Sequence, residues 1–358
     1  MNKHTTIIGI DLGDEYNHFC VLDGAEGEIL LEDRVKCEAK AMQRFFARRE
    51  RALIAMESGT HSAWVSRLAA EAGHEVVVAN ARKVRAIYKN ERKSDKLDAR
   101  MLARLARADR ELLYPVRRRG PQAQAALAVL KSREATVQSR TKLINHIRGI
   151  VKSFGGRLPQ CSAPAFHTKT WRAVPEEAAP AVGPLYEVVA KLTETIKGYD
   201  RYCEQLCESE AYADTQVLRS VPGVGTLTSL AYVTVLEDPG FYPTGRSVGV
   251  FLGLTPKRSQ SGEQDPALRI TKAGNPFLRQ LLVSSAHYIL GHHGPPSTLR
   301  NWGQRLEARG GRYAKKRAVT AVARKLAAIL HRLWSTGELW EPEPGEDPSS
   351  RPSLEAAP

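Results

Sequence analysis

Cysteine is sparse and unpatterned in this chain. Five residues (Cys20, Cys37, Cys161, Cys203, Cys207) are spread over 358 positions, an odd number with no zinc-type spacing. That argues against a disulfide framework and a structural zinc site, and leaves Cys203 and Cys207, four apart, as neutral thiols on a helix face. No apolar run is long enough to span a bilayer and no secretory signal is read. The expectation is a cytoplasmic, nucleoid-associated protein. Acidic residues are the scarcer charge, 39 Asp and Glu against 53 Lys and Arg, for a formal net charge of +14 and a pI near 9.6. The excess is clustered: fourteen basic against five acidic residues from Arg82 to Arg119, and fifteen against three from Lys257 to Arg332. Clustering of this kind points to a polyanionic partner, nucleic acid first.

Against that basic background, four carboxylates stand out. Asp11 ends the apolar run Ile7 to Asp11, and Glu57 falls at the end of a second, Ala52 to Ser58. Asp95 and Asp98 lie three apart in a stretch of helical periodicity, Lys93 to Arg107. Positions i and i+3 share a helix face. A single acid near a strand end is usually structural. Two strand-end acids plus two on one helical face suit hard-oxygen coordination of Mg²⁺ or Mn²⁺, which offsets the cost of gathering like charges and serves in-line phosphodiester chemistry. Asp14 and Glu15, in the turn after Asp11, read as solvated.

Strand patterns occur at His4 to Gly13, His18 to Gly24 and Ile29 to Cys37, joined by short polar links that suggest an antiparallel meander. A helix, a strand (Ala52 to Ser58), a helix stopped at Gly73, a strand (His74 to Ala81) and the Asp95 helix follow. This is the order of a ribonuclease-H-like α/β domain. From Gly120 to about Gly155 the pattern is helical. Residues Gly156 to Pro184 read as a loop or insertion, and Leu185 to Glu210 as a second long helix, so that a coiled-coil-like hairpin or a plain helical linker results. The expected division is a catalytic α/β domain over 1–115, a helical spacer over 116–214, a mostly helical C-terminal domain over 215–340, and a disordered acidic tail over 341–358.

Three further segments carry chemistry. Ser220 to Gly225 (SVPGVG) precedes an apolar helix and has the character of a helix-hairpin-helix, in which Pro222, Gly223 and Gly225 would present backbone N–H groups to a phosphate. A Gly-rich helix connection without a ligand is the plainer reading. Ser259 and Ser261 lie in a polar loop with Lys257, Arg258, Arg269 and Lys272 nearby. Serines there are usually turn formers. A serine hydroxyl among cations is also what attack on a phosphodiester requires. Gly310 to Trp334 reads as a basic amphipathic helix, with Ala318, Val322, Leu326, Ile329 and Leu333 as its apolar stripe. Lys315, Lys316 and Arg317 are candidate phosphate contacts or simply a solvated face. His287, His292 and His293 make no metal set.

Taken together, IGIDLG, AMESGTH, KSDKLDARMLARL, RSVPGVGTLTSLAYV, FLGLTPKRSQSG and RITKAGNPFLRQLL resemble the DEDD insertion-sequence transposases of the IS-one-hundred-ten type, a group that includes the Piv-type DNA invertases. The resemblance spans about residues 5 to 340. It implies a RuvC-like N-terminal domain, a helical spacer and a C-terminal transposase domain. Asp11, Glu57, Asp95 and Asp98 would form the metal-binding tetrad. The family's nucleophilic serine precedes the Gly of a Pro-x-x-x-x-Ser-Gly pattern, here Pro256 to Gly262, which implies Ser261 and leaves Ser259 out of register. Gln260 stands where many members carry a second serine. The resemblance also implies DNA as substrate, a non-coding guide RNA as partner, and a dimer or tetramer in which the serine of one subunit joins the carboxylate site of another. A site-specific invertase, or a metal-only junction resolvase without a covalent intermediate, are the alternative activities; a non-catalytic nucleic-acid-binding protein is a third.

Overall fold

The computed structural model describes residues 5–87, 94–117, 119–261 and 268–341. Lys93, Gly262 and the tail from residue 342 onward lie outside the described residues, and with them the expectation of a disordered C-terminus. The chain divides into two compact units, Met1–Arg119 and Gly120–Pro358.

The first unit is built on five strands: β1 (Thr6–Asp11), β2 (Tyr16–Asp23), β3 (Ile29–Lys36), β4 (Leu53–Glu57) and β5 (Glu75–Ala79). Their order across the sheet is β3-β2-β1-β4-β5, with β1 to β3 antiparallel and β4 and β5 parallel to β1. This is the ribonuclease-H-like arrangement. Helix α1 (Ala39–Ala47) links β3 to β4, α2 (Ser62–Glu71) links β4 to β5, and α3 (Ala81–Ile87) and α4 (Asp95–Ala108) follow. Sequence periodicity did not mark α3.

Period-two alternation sends alternate side chains to opposite faces of the sheet. Ile8, Ile10, Phe19, Val21, Ile54 and Met56 pack against Met42, Phe45 and Phe46 of α1 and Val65 and Ala69 of α2. Ile7, Cys20, Leu22, Leu53, Ala55 and Val77 pack against Ala99, Leu102, Ala103 and Ala106 of α4. Each fully buried aliphatic or aromatic side chain contributes about 1.5–3 kcal/mol of transfer free energy. On the α4 face the contact is closer than side chains permit. A Cβ on Gly9 would lie 2.1 Å from the Ala99 carbonyl oxygen and 2.5 Å from the Ala103 nitrogen, so the helix backbone rests directly on β1.

The second unit is helical. It begins with α5 (Pro121–Ser153), passes through the short α6 (Phe166–Lys169), and returns along α7 (Ala179–Glu208). Ile144, Ile147 and Val151 of α5 meet Val182, Tyr186 and Val189 of α7, and Phe166 is buried in the same cluster, stacked on Tyr186. The stretch expected to be a loop up to Pro184 is therefore partly packed, and α7 starts six residues before the expected Leu185. Pro180 sits in its first turn, where no N–H bond is lost, and Pro184 lies inside the helix at the cost of one backbone hydrogen bond.

Helices α8 (Asp214–Arg219), α9 (Thr226–Leu236), α10 (Gly245–Phe251), α11 (Pro276–Leu290), α12 (Thr298–Ala308) and α13 (Ala314–Thr336) complete the unit. Every residue of α9 from Thr228 to Leu236 is buried, so it is the central helix, with α11 and α13 against it. Tyr232 is fully buried and donates its hydroxyl proton to the Ala327 carbonyl of α13 at 2.6 Å. Ala126, Leu127 and Leu130 of α5 and Cys203 and Cys207 of α7 join this core, which ties the long hairpin into it. Burial pushes the Cys203 thiol up to about 11, in keeping with thiols that serve only as packing.

Candidate active site and nucleic-acid contacts

The four candidate acids are gathered by the alternation and direction of the elements that carry them. Asp11 follows Ile7 and Gly9 at period two and so belongs to the α4 face; Glu57 follows Leu53 and Ala55 in the same way. Strands β1 and β4 are parallel neighbours, with Ile10 opposite Met56, so both acids stand at the same end of adjacent strands.

The direction of α4 brings the other two to that end. Near its C-terminus, Arg107 donates from Nε to the Gly24 carbonyl (3.2 Å) and from Nη2 to the Ala25 carbonyl (2.6 Å). Gly24 in turn donates its N–H to Thr5, beside the start of β1. The helix thus runs opposite to β1, and its first turn lies over the Asp11 end. Asp95 and Asp98 continue the buried stripe of Ala99 and Leu102 one turn earlier. Ser94 caps the helix by accepting from the Leu97 N–H at 3.3 Å. Acids in a first turn gain about 0.3–1 kcal/mol from the helix dipole. That explains their place on the helix but not why they face the sheet end.

His18, which sequence analysis did not single out, belongs to this cluster. It pairs with Asp11 across β1 and β2. Its Nδ1 is 3.6 Å from an Asp95 carboxylate oxygen, too far for a hydrogen bond, and is a buried nitrogen with no hydrogen-bond partner. The alternation His18, Cys20, Leu22 would have assigned it to this face had the strand register been known. Among the described residues no three His, Cys, Asp or Glu are close enough to hold one ion. The structure therefore brings the carboxylates to one sheet end without closing them into a cage.

Two neighbouring interactions position the cluster. Glu32 on β3 accepts from Arg100 Nε (2.8 Å) and Nη2 (2.9 Å), and Lys96 approaches it at 3.1 Å. The Arg100 guanidinium holds the Glu32 carboxyl down to about 2, against burial that pulls the other way. Beside the strand ends, the His61 ring lies 3.0 Å from Asp14 through Nε2 and accepts from Trp64 Nε1 at Nδ1, so its Nε2 carries the proton toward Asp14. Asp14 is 97 % exposed, as expected of a solvated turn residue, yet has this partner.

In the second unit, the expected nucleophile sits on a surface loop closed by a backbone clasp. Pro256 bridges Ile270; Lys257 donates to Arg269, Thr271 to Thr255 and Lys272 to Gly253, at 2.9–3.1 Å. Ser259, Ser261, Lys257, Arg258, Arg269 and Lys272 are all exposed on this clasp and the loop it closes. Its end is tightly specified. Lys272 has φ 55° and Gly274 has φ 69°, and a Cβ on Gly274 would lie 1.9 Å from the Phe251 carbonyl oxygen. Asn275 then caps α11, Pro276 opens it, and Arg279 donates from Nη1 to the Leu252 and Ala273 carbonyls at 2.8 and 2.7 Å.

The remaining contact candidates sit at helix starts. Gly223 (φ 85°) makes the turn between α8 and α9, Pro222 lies beside it, and Gly225 is the N-cap of α9 without a side-chain cap. Lys315, Lys316 and Arg317 are exposed in the first turn of α13, where a helix dipole disfavours cations and an anion would offset them. Arg317 is partly engaged, donating to the Gly310 carbonyl at 2.7 Å. No described helix is long and apolar enough to cross a membrane.

Comparison with known proteins bears on the same regions. Residues 8–155 match a family model described as transposase, of the DEDD type of IS110, and residues 215–302 match the model for the transposase IS116/IS110/IS902 family. The transposase for insertion sequence element IS1328 of Yersinia enterocolitica is 30 % identical over 320 residues, covering 87 % of this chain and 88 % of its own. The transposase for insertion sequence element IS1111A of Coxiella burnetii is 28 % identical over 346 residues, covering 94 % and 92 %.

Proposed function

The chain belongs to the IS110/IS116 family of transposases and is therefore an enzyme that cuts and rejoins DNA; from that premise we propose that it does so with Ser261 as nucleophile and with Asp11, Glu57, Asp95 and Asp98 as the holders of Mg²⁺ or Mn²⁺. The family implies dependence on a divalent metal. Carboxylate oxygens are the donors such an ion prefers, and the four are directed to one end of the sheet with the unpartnered Nδ1 of His18 nearby, although among the described residues no three donors lie close enough to hold one ion. A bound divalent cation would supply positive charge to a phosphodiester as negative charge builds on it.

In this reading the Ser261 Oγ attacks the DNA phosphorus. The bond from phosphorus to the 3′ oxygen breaks, and the serine proton ends on that oxygen as a 3′-hydroxyl. The 5′ phosphate stays on Ser261 as an ester. Attack by the 3′-hydroxyl of another strand reverses these steps, releases Ser261 and joins the new ends. Lys257, Arg258, Arg269 and Lys272 offer their charge to the phosphate, and the exposed position of Ser261 suits approach of a large substrate. We further propose that a non-coding guide RNA selects the site and that the protein works as an oligomer.

The observation that supports the carboxylate half of this reading is the seating of α4 on Gly9, which directs its first turn, with Asp95 3.6 Å from His18, toward the Asp11 end of the sheet. The test is to trap a protein–DNA adduct on a nicked substrate. Ser261→Ala is expected to abolish both adduct and cleavage, a drop of more than roughly a thousandfold, with DNA binding retained. Asp11→Ala is expected to abolish cleavage as well. Wild-type cleavage by Ser261→Ala would refute the serine mechanism in favour of a metal-only nuclease. Sequencing RNA that co-purifies with the protein tests the guide.

A further inference from the structure

We propose that a cavity beside the Pro222–Gly225 turn binds one unpaired nucleotide, its phosphate on the first turn of α9 and its base against the Tyr288 ring. This rests on the reading of that turn as a nucleic-acid contact. The cavity has a volume of about 430 Å³ and is lined by Arg219, Pro222, Gly225, Thr228, Ser285 and Tyr288 among others. Ligand pockets typically span about 300–1,000 Å³.

Three independent features point to a ligand. First, Gly225 provides no side-chain cap, so the leading N–H groups of the eleven-residue α9 have no partner among the described residues and face outward as an anion site. Exposed Arg219 stands at the same cavity. Second, Thr228 and Ser285 are 7 % and 3 % exposed, line the cavity, and neither hydroxyl makes a hydrogen bond among the described residues. Neither hydroxyl oxygen is sealed in the core, so both open onto the cavity and are available to its occupant. Third, Tyr288 is 44 % exposed although its ring is backed by the turn: a Cβ on Gly223 would lie 2.8 Å from its Cδ1. Glycine there serves both the positive φ and this close approach, and the rest of the ring is left to the cavity.

A duplex backbone needs only the N–H groups of the turn. An aromatic ring, two free hydroxyls and a cavity add nothing to that contact, because paired bases are stacked away from it. They suit a nucleotide whose base is free to stack on the ring. Single-stranded DNA and RNA both present such a nucleotide.

The experiment uses the full chain with short single-stranded DNA, single-stranded RNA and duplex DNA of one sequence, each carrying 5-iodouracil, with photo-cross-linking and fluorescence anisotropy. At least one single-stranded probe is expected to cross-link to Tyr288, and which one does identifies the source. Tyr288→Leu is expected to weaken that probe about tenfold or more while leaving the duplex unchanged, and Tyr288→Phe to bind as wild type. Thr228→Val is expected to weaken it a few fold. Circular dichroism melting of each variant checks folding, and the cross-link on the wild type stands apart from any variant. Duplex binding intact with no Tyr288 cross-link, or equal loss on all probes for Tyr288→Leu, overturns the pocket alone. Failure of the wild type to bind any probe overturns the underlying reading of the turn.

Discussion

The two units hold their chemistry in opposite ways. In the first, carboxylates ride on strand ends and on a helix pressed onto the sheet at Gly9, so that their position follows from core packing. In the second, the proposed nucleophile Ser261 rides on an exposed loop held by three backbone hydrogen bonds, a Gly274 turn and the Arg279 side chain. Core packing fixes the end of the sheet to which these donors are directed, without closing them into a cage among the described residues. The exposed position leaves the proposed nucleophile open to a large polymer.

That contrast can be strained from both sides. The largest effect is expected from Gly9→Ala. Its Cβ would meet backbone atoms that cannot rotate away, so α4 must lift, at a cost of about 3 kcal/mol, with lower melting of the first unit and loss of metal-dependent cleavage. Thermal melting and cleavage assays check both; an unchanged melting point would show that α4 does not rest on β1 as described. Gly274→Ala is expected to cost about 2 kcal/mol through its positive φ and the Phe251 contact, but to spend it on opening the clasp. Adduct formation should fall and limited proteolysis should cut between Thr255 and Thr271, while the melting of the second unit moves little. A collapse of that unit instead would erase the distinction between core and clasp.

The smallest effect is expected from Glu32→Gln, about 1.5 kcal/mol, because the charge-assisted bonds to Arg100 are lost. It carries a pH signature. The folded carboxyl sits near 2 and the ordinary value is 4.5, so its contribution is complete above pH 4.5 and vanishes as pH falls toward 2. Urea unfolding of wild type and variant should differ at pH 6 and converge near pH 2. A difference that persists at low pH would assign the effect to packing.

Much of the first unit was legible because its strands are short alternating runs with acids at their ends, and the parity of Asp11 with Ile7 and of Glu57 with Leu53 is already in the sequence. What periodicity does not contain is register and direction. His18 faces Asp95 only because β2 pairs with β1 at that register, and α4 runs opposite to β1 because of contacts between Arg107 and residues more than eighty positions earlier. The start of α7 is not legible in the sequence, because prolines and small residues up to Pro184 read as loop, whereas tertiary packing of Val182 and Tyr186 carries the helix through Pro184. Thr228 and Ser285 escape the sequence for the same reason as His18: their meeting at one cavity from α9 and α11 is a property of the folded chain.

The docking of α4 has a consequence for the polymer itself. Because Gly9, Ala99 and Ala103 settle where the helix lies, the position of Asp95 and Asp98 is a matter of surface fit between two separately folded pieces of chain. The sheet and the helix are, in that sense, two complementary surfaces that recognise each other by shape, with glycine as the imprint the helix leaves on the strand.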